Sequence, residues 1–214
     1  MNIYNVIILD ESGSMSSIYK ETIQSMNEVI NGIRKNQEDH PDQHHYVTIV
    51  TFEGDGIEGV KTRRDRVPIS VIQDFTTHDY RPGGCTPLYD AMGKTLNELE
   101  SLILEDDRVF ATVITDGYEN SSREYSGRTV KELVGRLREK GWILAYIGAN
   151  QDAVEVARDL HIDNALNFNA SPLGVKRMCL KFKNASRESS TLFSLLDKRE
   201  LRAVDNLFDG DAEE

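Results

Sequence analysis

Three short polar segments of this sequence carry oxygen-bearing side chains of the kind that bind a metal ion. The first, residues 10–15, alternates a carboxylate and two hydroxyls with other residues directly after an apolar run. The second is a glycine-containing loop, residues 82–86, and the third is an Asp-Gly pair that closes another apolar run. The candidate ligands are Asp10, Ser12, Ser14, Thr86 and Asp116.

These five side chains would offer oxygen atoms only, with no His or Cys among them. Oxygen ligands suit a hard cation, and magnesium takes six of them in an octahedral array and normally keeps several waters. The sequence therefore predicts Mg²⁺, with Mn²⁺ or Ca²⁺ as alternatives. Because three of the five groups are neutral hydroxyls, the charge of the cation would stay incompletely neutralised, and a carboxylate from outside becomes a favourable further ligand.

The segments between these loops alternate between strand-like and helix-like patterns. Short apolar runs rich in β-branched or aromatic residues indicate buried strands; they are residues 4–9, 46–52, 109–115, 142–147 and 165–168. Apolar residues at three- and four-residue spacing indicate helices; they are residues 17–36, 86–104, 129–140, 152–160 and 174–196. This alternation predicts a doubly wound α/β fold with a mostly parallel sheet and helices on both faces.

One connection is too short for a crossover helix. Residues 46–52 lead through Glu53-Gly54-Asp55-Gly56 into a second strand-like segment, residues 57–62, which predicts a hairpin and one antiparallel edge strand. A strand order of 3-2-1-4-5-6 would then place the first strand centrally, beside residues 109–115. Asp10 and Asp116 would meet at the carboxyl edge of the sheet, where open α/β sheets bind ligands.

Length and composition limit the classes of protein that remain. With 214 residues and 39% hydrophobic residues, the chain fits one domain, residues 1–208, followed by an acidic tail, residues 209–214. A net charge of −11 disfavours nucleic acid and anionic membranes as partners, and the basic residues within 61–66 fit a solvated edge strand. Two distant cysteines, no secretion signal and no membrane-length apolar run indicate a cytoplasmic protein, expected to be monomeric on its own.

The motif Asp10-x-Ser12-x-Ser14, Thr86 in its Gly-Gly-x-Thr loop and Asp116-Gly117 together resemble the metal-ion-dependent adhesion site of von Willebrand factor A domains. The resemblance covers roughly residues 2–168, and residues 119–124 and 148–152 look most like stand-alone intracellular bacterial members. It implies that both serines and the threonine touch the metal directly and that the aspartates reach it directly or through water. It also implies a non-enzymatic module that binds a Glu or Asp of a partner protein, with a last helix that can shift as the metal shell rearranges.

Three other interpretations compete with this one. A haloacid-dehalogenase-like phosphatase would use Asp10 as its nucleophile, although Ser12 stands where that family has a second Asp. A nucleotide-binding Rossmann-like domain is disfavoured, because the first turn lacks Gly-x-Gly-x-x-Gly. Finally, Asp10, Ser12 and Thr86 could merely cap the helices that follow them, with Asp116-Gly117 an ordinary turn.

Several neighbours of the predicted site have expected positions of their own. The rim that would contact a partner is assigned to Glu11, Gly84 and Tyr118, with Glu11 pointing to solvent. Cys85 is predicted to be a small buried hydrophobe rather than a redox switch. The histidines at positions 40, 44 and 45 are predicted to be solvated loop residues.

Overall fold

The computed structural model describes residues 1–149, 152–204 and 206–208, and within them six strands form one sheet. The strands are β1 (Asn2–Asp10), β2 (His44–Phe52), β3 (Val60–Pro68), β4 (Arg108–Thr115), β5 (Ile143–Ala149) and β6 (Asn164–Phe168). Their order is β3-β2-β1-β4-β5-β6, and all neighbours are parallel except β2 and β3. The predicted fold class, strand order and antiparallel edge are confirmed. The predicted acidic tail and the pair Asn150-Gln151 lie outside the described residues.

Helices cover both faces of the sheet, as predicted. They are α1 (Tyr19–Asp39), α2 (Leu88–Glu100), α3 (Gly127–Glu139), α4 (Ala153–Asp159), α5 (Pro172–Leu195) and α6 (Lys198–Leu201). On one face α1 and α5 pack over alternate β1 residues such as Ile7 and Leu9. On the other face α2, α3 and α4 cover Val6 and Ile8. Because β1 is buried on both sides, it reads as a continuous apolar run in the sequence.

The hairpin between β2 and β3 has a longer turn than the sequence predicted. Residues 57–59 belong to a short 3-10 helix, Gly56–Gly59, so β3 begins only at Val60. Gly54 and Gly56 both have positive φ, of 79° and 64°. This is backbone that glycine adopts without steric cost, so the glycines extend the turn at the expense of the strand.

A long irregular segment, residues 69–87, connects β3 to α2, where no buried structure was predicted. Phe75 and Tyr80 in this segment are almost fully buried against the α1 side of the sheet. The Asn27 side chain of α1 holds the backbone of Phe75 through two hydrogen bonds of 2.7 and 2.9 Å. The segment is thereby fixed in place, and its last residues form one of the three predicted metal loops.

The prediction for the histidines is wrong in one case. β2 begins at His44, and the alternation of a strand exposes His44 but buries His45. The ring of His45 contacts Asn5 Nδ2 at 3.2 Å and Gln43 Oε1 at 3.0 Å. Burial, with smaller effects from His40 and His44, lowers the pKa of His45 to about 4.

Among the described residues, none of the helices is both long enough and apolar enough to cross a membrane.

Candidate functional site

The carboxylate of Asp10 joins the ends of the two central strands. Asp10 is the last residue of β1 and is fully buried. Its Oδ1 accepts a hydrogen bond of 2.7 Å from the amide of Ser12, which tightens the turn after β1. Its Oδ2 accepts one of 2.6 Å from the hydroxyl of Thr115, the last residue of β4. The side chain is therefore held at the carboxyl edge in one orientation.

Two serine hydroxyls link this turn to the second aspartate, Asp116, through hydrogen bonds. Ser12 Oγ lies 3.1 Å from Ser14 Oγ, and Ser14 Oγ donates a hydrogen bond of 2.5 Å to Asp116 Oδ1. Asp116 directly follows β4, so the loops after β1 and β4 are in contact. These parallel strands are neighbours in the sheet, which is why their carboxyl ends meet.

Thr86 brings the third loop to the same place. Its backbone is clamped by Asn120, whose Oδ1 accepts from Thr86 N at 2.8 Å and whose amide donates to Thr86 O at 3.2 Å. A Cβ placed on Gly117 would lie 3.4 Å from Thr86 Oγ1 and 3.9 Å from Ser14 Oγ. All five side chains singled out in the sequence therefore lie in one patch, formed by three loops at the carboxyl edge.

The hydroxyls are not used as helix caps. Ser12 occupies the N-cap position of the short 3-10 helix Gly13–Ile18, but its side chain makes no capping hydrogen bond. Pro87, not Thr86, is the N-cap of α2, and that position has no side-chain cap either. The capping interpretation therefore has no support in the geometry, and the hydroxyl oxygens are left for another role.

The electrostatics of the patch favour a cation. Burial raises the pKa of Asp10 to about 6, against the hydrogen bonds from Thr115 and Ser12, and the nearby charge of Asp116 raises it further. Burial likewise raises the pKa of Asp116. No ion pair within residues 1–149, 152–204 and 206–208 joins either carboxylate to a Lys or Arg. Two buried carboxylates without a counter-ion are stabilised by any cation that neutralises them.

The set of donors fits a hard divalent cation. Three hydroxyls and two carboxylates supply neutral and anionic oxygens, which magnesium, manganese and calcium accept. Across the described part of the chain, no group of three or more His, Cys, Asp or Glu side chains is arranged to hold a metal. Any metal at this edge would therefore depend on the hydroxyls of Ser12, Ser14 and Thr86.

Glu11 does not point to solvent, and that prediction is wrong. The residue is only 1% exposed, and its Oε2 forms an ion pair of 2.8 Å with Arg63 of β3. Its Oε1 accepts a hydrogen bond from the backbone amide of Arg81. Glu11 therefore fastens the edge strand and the loop before Thr86 to the turn after β1, and it cannot contact a partner from the rim.

The other two rim residues are accessible, although Gly84 has a second role. Tyr118 is 60% exposed, and Gly84 is exposed with a φ of 65°. A Cβ on Gly84 would lie 2.6 Å from the backbone nitrogen of Gly54, so the loop needs glycine for close packing. Cys85 is exposed rather than buried, which corrects the prediction, because the chain turns inward only at Thr86.

Two acidic residues hold the loop after Asp116 and were not predicted. The buried carboxylate of Asp90 accepts three backbone hydrogen bonds of 2.7 to 2.9 Å from residues 123–125. Glu119 accepts from the amides of Tyr89, Ser121 and Ser122 at 2.7 to 2.9 Å. These contacts attach the loop to the start of α2 and so position Asn120 against Thr86.

The sequence contained little that could have revealed these supporting residues. Thr115 could have been found from the predicted sheet, since it ends β4 just as Asp10 ends the neighbouring strand β1, and Leu9 pairs with Ile114 directly before them. Tyr80 donates a hydrogen bond of 2.8 Å to the carbonyl of Asp10 from 70 residues away. Glu11, Tyr80 and Asp90 act through such long-range contacts, which no local spacing indicates.

A family model described as "von Willebrand factor type A domain" matches residues 6–174 of the chain. The matched stretch begins in β1 and ends in the first turn of α5, and so contains all three loops of the patch. No relative was found among curated protein sequences.

Solved structures with the same fold come from several kinds of protein. Proximal thread matrix protein 1 from the mussel byssus, described with a zinc-occupied MIDAS motif, is 14% identical with a TM-score of 0.59 over 88% of this chain and 46% of that one. The pilus adhesin SpaC from Lactobacillus rhamnosus GG is 10% identical with a TM-score of 0.65, over 87% and 30%. The SpRpn10 VWA domain is 13% identical with a TM-score of 0.56, over 83% and 93%. The chain thus spans just under half of the mussel protein but most of the SpRpn10 domain.

Proposed function

We propose that this chain, which belongs to the von Willebrand factor type A domain family, is a non-enzymatic binding module that holds one divalent cation and grips a carboxylate of a partner protein. Domains of this family are typically protein-interaction modules. The family match gives no support to the alternative of a phosphatase with Asp10 as nucleophile. Two free cysteines suit the cytoplasm that we propose as its location.

The observation that carries the proposal is the convergence of three hydroxyls and two buried carboxylates from three separate loops. Ser14 is the centre of this arrangement, because it contacts both Ser12 Oγ and Asp116 Oδ1. The oxygens of these hydroxyls retain lone pairs that a cation can accept, because none of them caps a helix. A cation at the edge of the sheet would be that partner, and it would neutralise Asp10 and Asp116 at the same time.

Each residue has a distinct part in the proposed site. Ser12, Ser14 and Thr86 would hold the cation through their oxygens, and Asp10 and Asp116 would supply the negative charge. When bound, the cation would act as a Lewis acid with charge left over for an incoming carboxylate. We propose magnesium as the resident ion, with manganese or calcium as alternatives, because the donors are all oxygens.

The proposal is tested by affinity capture from the native cell. The immobilised wild-type protein is incubated with a lysate in magnesium and in magnesium plus chelator, and the Ser14→Ala variant is incubated in magnesium. The proteins that are captured in the first condition and lost in the other two are then identified. Ser101→Ala, an exposed serine at the end of α2, is the matched control. A partner retained by wild type and Ser101→Ala in magnesium and lost in the other two conditions supports the proposal. Capture of the same partner that is unaffected by the chelator and by Ser14→Ala contradicts it.

A further inference from the structure

A shallow cleft of about 350 Å³ lies next to the proposed metal site, lined by Ser16, Tyr19, Arg81 and Pro82. Ser16 is two residues beyond Ser14, in the 3-10 helix that follows the turn after β1. Arg81 and Pro82 precede Gly83, whose amide donates a hydrogen bond of 2.9 Å to the carbonyl of Glu11. The cleft therefore lies between the segment that follows β1 and the segment that leads to Thr86, which carry two of the three loops of the site.

The walls of the cleft are held by buried contacts. Tyr19 stacks on Tyr80, with ring centroids 6.0 Å apart and planes 8° from parallel. Tyr80 in turn is fully buried and donates to the carbonyl of Asp10. On the opposite side, the backbone of Arg81 is fixed by Glu11. The Tyr19 ring and the backbone of Arg81 are thus held in place relative to Asp10.

Arg81 differs from the other cations on the surrounding loops. Lys61 pairs with Glu53 at 2.7 Å, Arg63 pairs with Glu11, and Arg123 pairs with Asp55. Arg81 is exposed, and in the described portion of the chain its guanidinium forms no ion pair. Its guanidinium is therefore an accessible positive charge beside a site that is proposed to bind a carboxylate.

We infer that the cleft is a second subsite for the same ligand, in which Arg81 pairs with a further carboxylate of a partner segment that carries two acidic residues close together. The inference rests on the proposed function for the first carboxylate. A guanidinium binds a carboxylate through two parallel hydrogen bonds, which adds geometric selectivity. A local cation also offsets the repulsion that a net charge of −11 exerts on any acidic partner.

Short capped peptides test the inference without knowledge of the natural partner. One peptide carries a single Glu among Gly and Gln, and three others add a second Glu one, two or three residues later. Their affinities for the protein in magnesium are measured by chemical-shift titration, with a chelated sample as the metal-free arm. Because exposed ion pairs are weak, the best peptide with two carboxylates should bind about two- to fivefold more tightly than the peptide with one.

Two variants at position 81 test whether Arg81 causes the gain in affinity from the second carboxylate. Arg81→Gln should reduce the ratio of affinities to about one and leave the affinity for the single-Glu peptide nearly unchanged, whereas Arg81→Lys should retain part of the gain. The control is Lys176→Gln, which removes one exposed charge from α5 and should leave the ratio unaltered. The fold is expected to survive, since the backbone amide of Arg81 still reaches Glu11 in each variant.

Three outcomes overturn the inference, and they are distinguishable. A ratio that Arg81→Gln does not change, or that Lys176→Gln lowers equally, removes the role of Arg81 but leaves the metal site standing. Equal affinities of all four peptides for wild type do the same. Absence of magnesium-dependent binding for every peptide overturns the proposed function together with the inference.

Discussion

The hydroxyl of Thr115 donates a 2.6 Å hydrogen bond to the buried carboxylate of Asp10, and this contact joins the carboxyl ends of β4 and β1. Thr115 is itself fully buried, so this hydrogen bond is shielded from bulk water. The bond orients the oxygens of Asp10 before any ligand arrives. Supporting contacts of this kind commonly set the affinity of a metal site.

Replacement of Thr115 by valine should therefore weaken metal binding. We expect magnesium or manganese affinity to fall about 10- to 100-fold, as is usual when a residue that orients a metal ligand is lost. Stability of the metal-free protein should fall by about 1–3 kcal/mol, because a buried acceptor loses its donor. Calorimetric metal titration and urea unfolding measure the two effects.

Thr112 supplies the matched control on the same strand. Its hydroxyl is buried, and within the residues that the structure describes it has no hydrogen-bond partner. Thr112→Val should therefore leave metal affinity unchanged and stability equal or higher. Equal losses of metal affinity in the two variants would show that Thr115 acts only through packing.

The two adjacent glycines in the loop before Thr86 should respond differently to alanine. Gly84→Ala places a Cβ 2.6 Å from the backbone nitrogen of Gly54, at a φ of 65°. We expect it to cost about 1–3 kcal/mol in the free energy of unfolding and to weaken metal binding by displacing Thr86. Gly83→Ala has open space around the new methyl and should change both quantities little. Urea unfolding and metal titration of both variants check this, and indistinguishable variants would contradict it.

Metal affinity should depend on pH through Asp10. Burial raises the pKa of Asp10 to about 6 in the metal-free protein, so below that pH a proton competes with the metal. We expect magnesium affinity to be nearly constant above pH 7 and to decline progressively below pH 6. Calorimetry in buffers with different ionisation enthalpies should also detect proton release on binding near pH 6. An affinity independent of pH between 5 and 7.5 would be inconsistent with Asp10 as a ligand.

Acid should destabilise the fold through His45. The pKa of His45 is lowered to about 4, below its value of 6.5 in an unfolded chain, so the unfolded state binds more protons between these values. The contribution of the neutral His45 ring to the free energy of unfolding is therefore fully present above pH 6.5. It is lost as the pH falls toward 4, by about 3 kcal/mol at most. Asp10 has the opposite effect between its folded pKa and 3.8, so the contribution of His45 must be isolated with a variant.

His45→Gln and its exposed neighbour His44→Gln provide that comparison. The loss of stability between pH 7 and pH 4.5 should shrink in His45→Gln and persist in His44→Gln, as measured by urea unfolding at each pH. Identical pH profiles for the two variants would show that the buried ring does not govern acid sensitivity.

The sequence predicted the fold well because its signals are local. Each strand with both faces buried appears as a continuous apolar run, and the Gly-rich turn after Phe52 excludes a crossover helix, which leaves a hairpin. The strand order was predicted from the doubly wound pattern, in which the first strand is central, and that order is confirmed. The positions of Asp10 and Asp116 at one edge of the sheet follow directly from that order.

What the sequence did not predict depends on contacts between distant residues. Glu11 is buried because Arg63 and the backbone amide of Arg81, which are 52 and 70 residues away in the sequence, donate hydrogen bonds to its carboxylate. His45 is buried because β2 begins two residues earlier than its apolar run. Cys85 is exposed because the loop turns inward only at the next residue. Local patterns of residue type carry no information about such long-range contacts.

Anomalous diffraction from crystals grown with excess manganese would show whether one divalent cation binds among these five side chains. We predict a single strong peak bounded by the oxygens of Ser12, Ser14 and Thr86, with Asp10 and Asp116 in direct or water-mediated contact. The same crystals of Ser14→Ala should lack the peak. An ordered patch without a peak in the wild-type protein, or a peak only elsewhere on the molecule, would show that these side chains do not hold a metal.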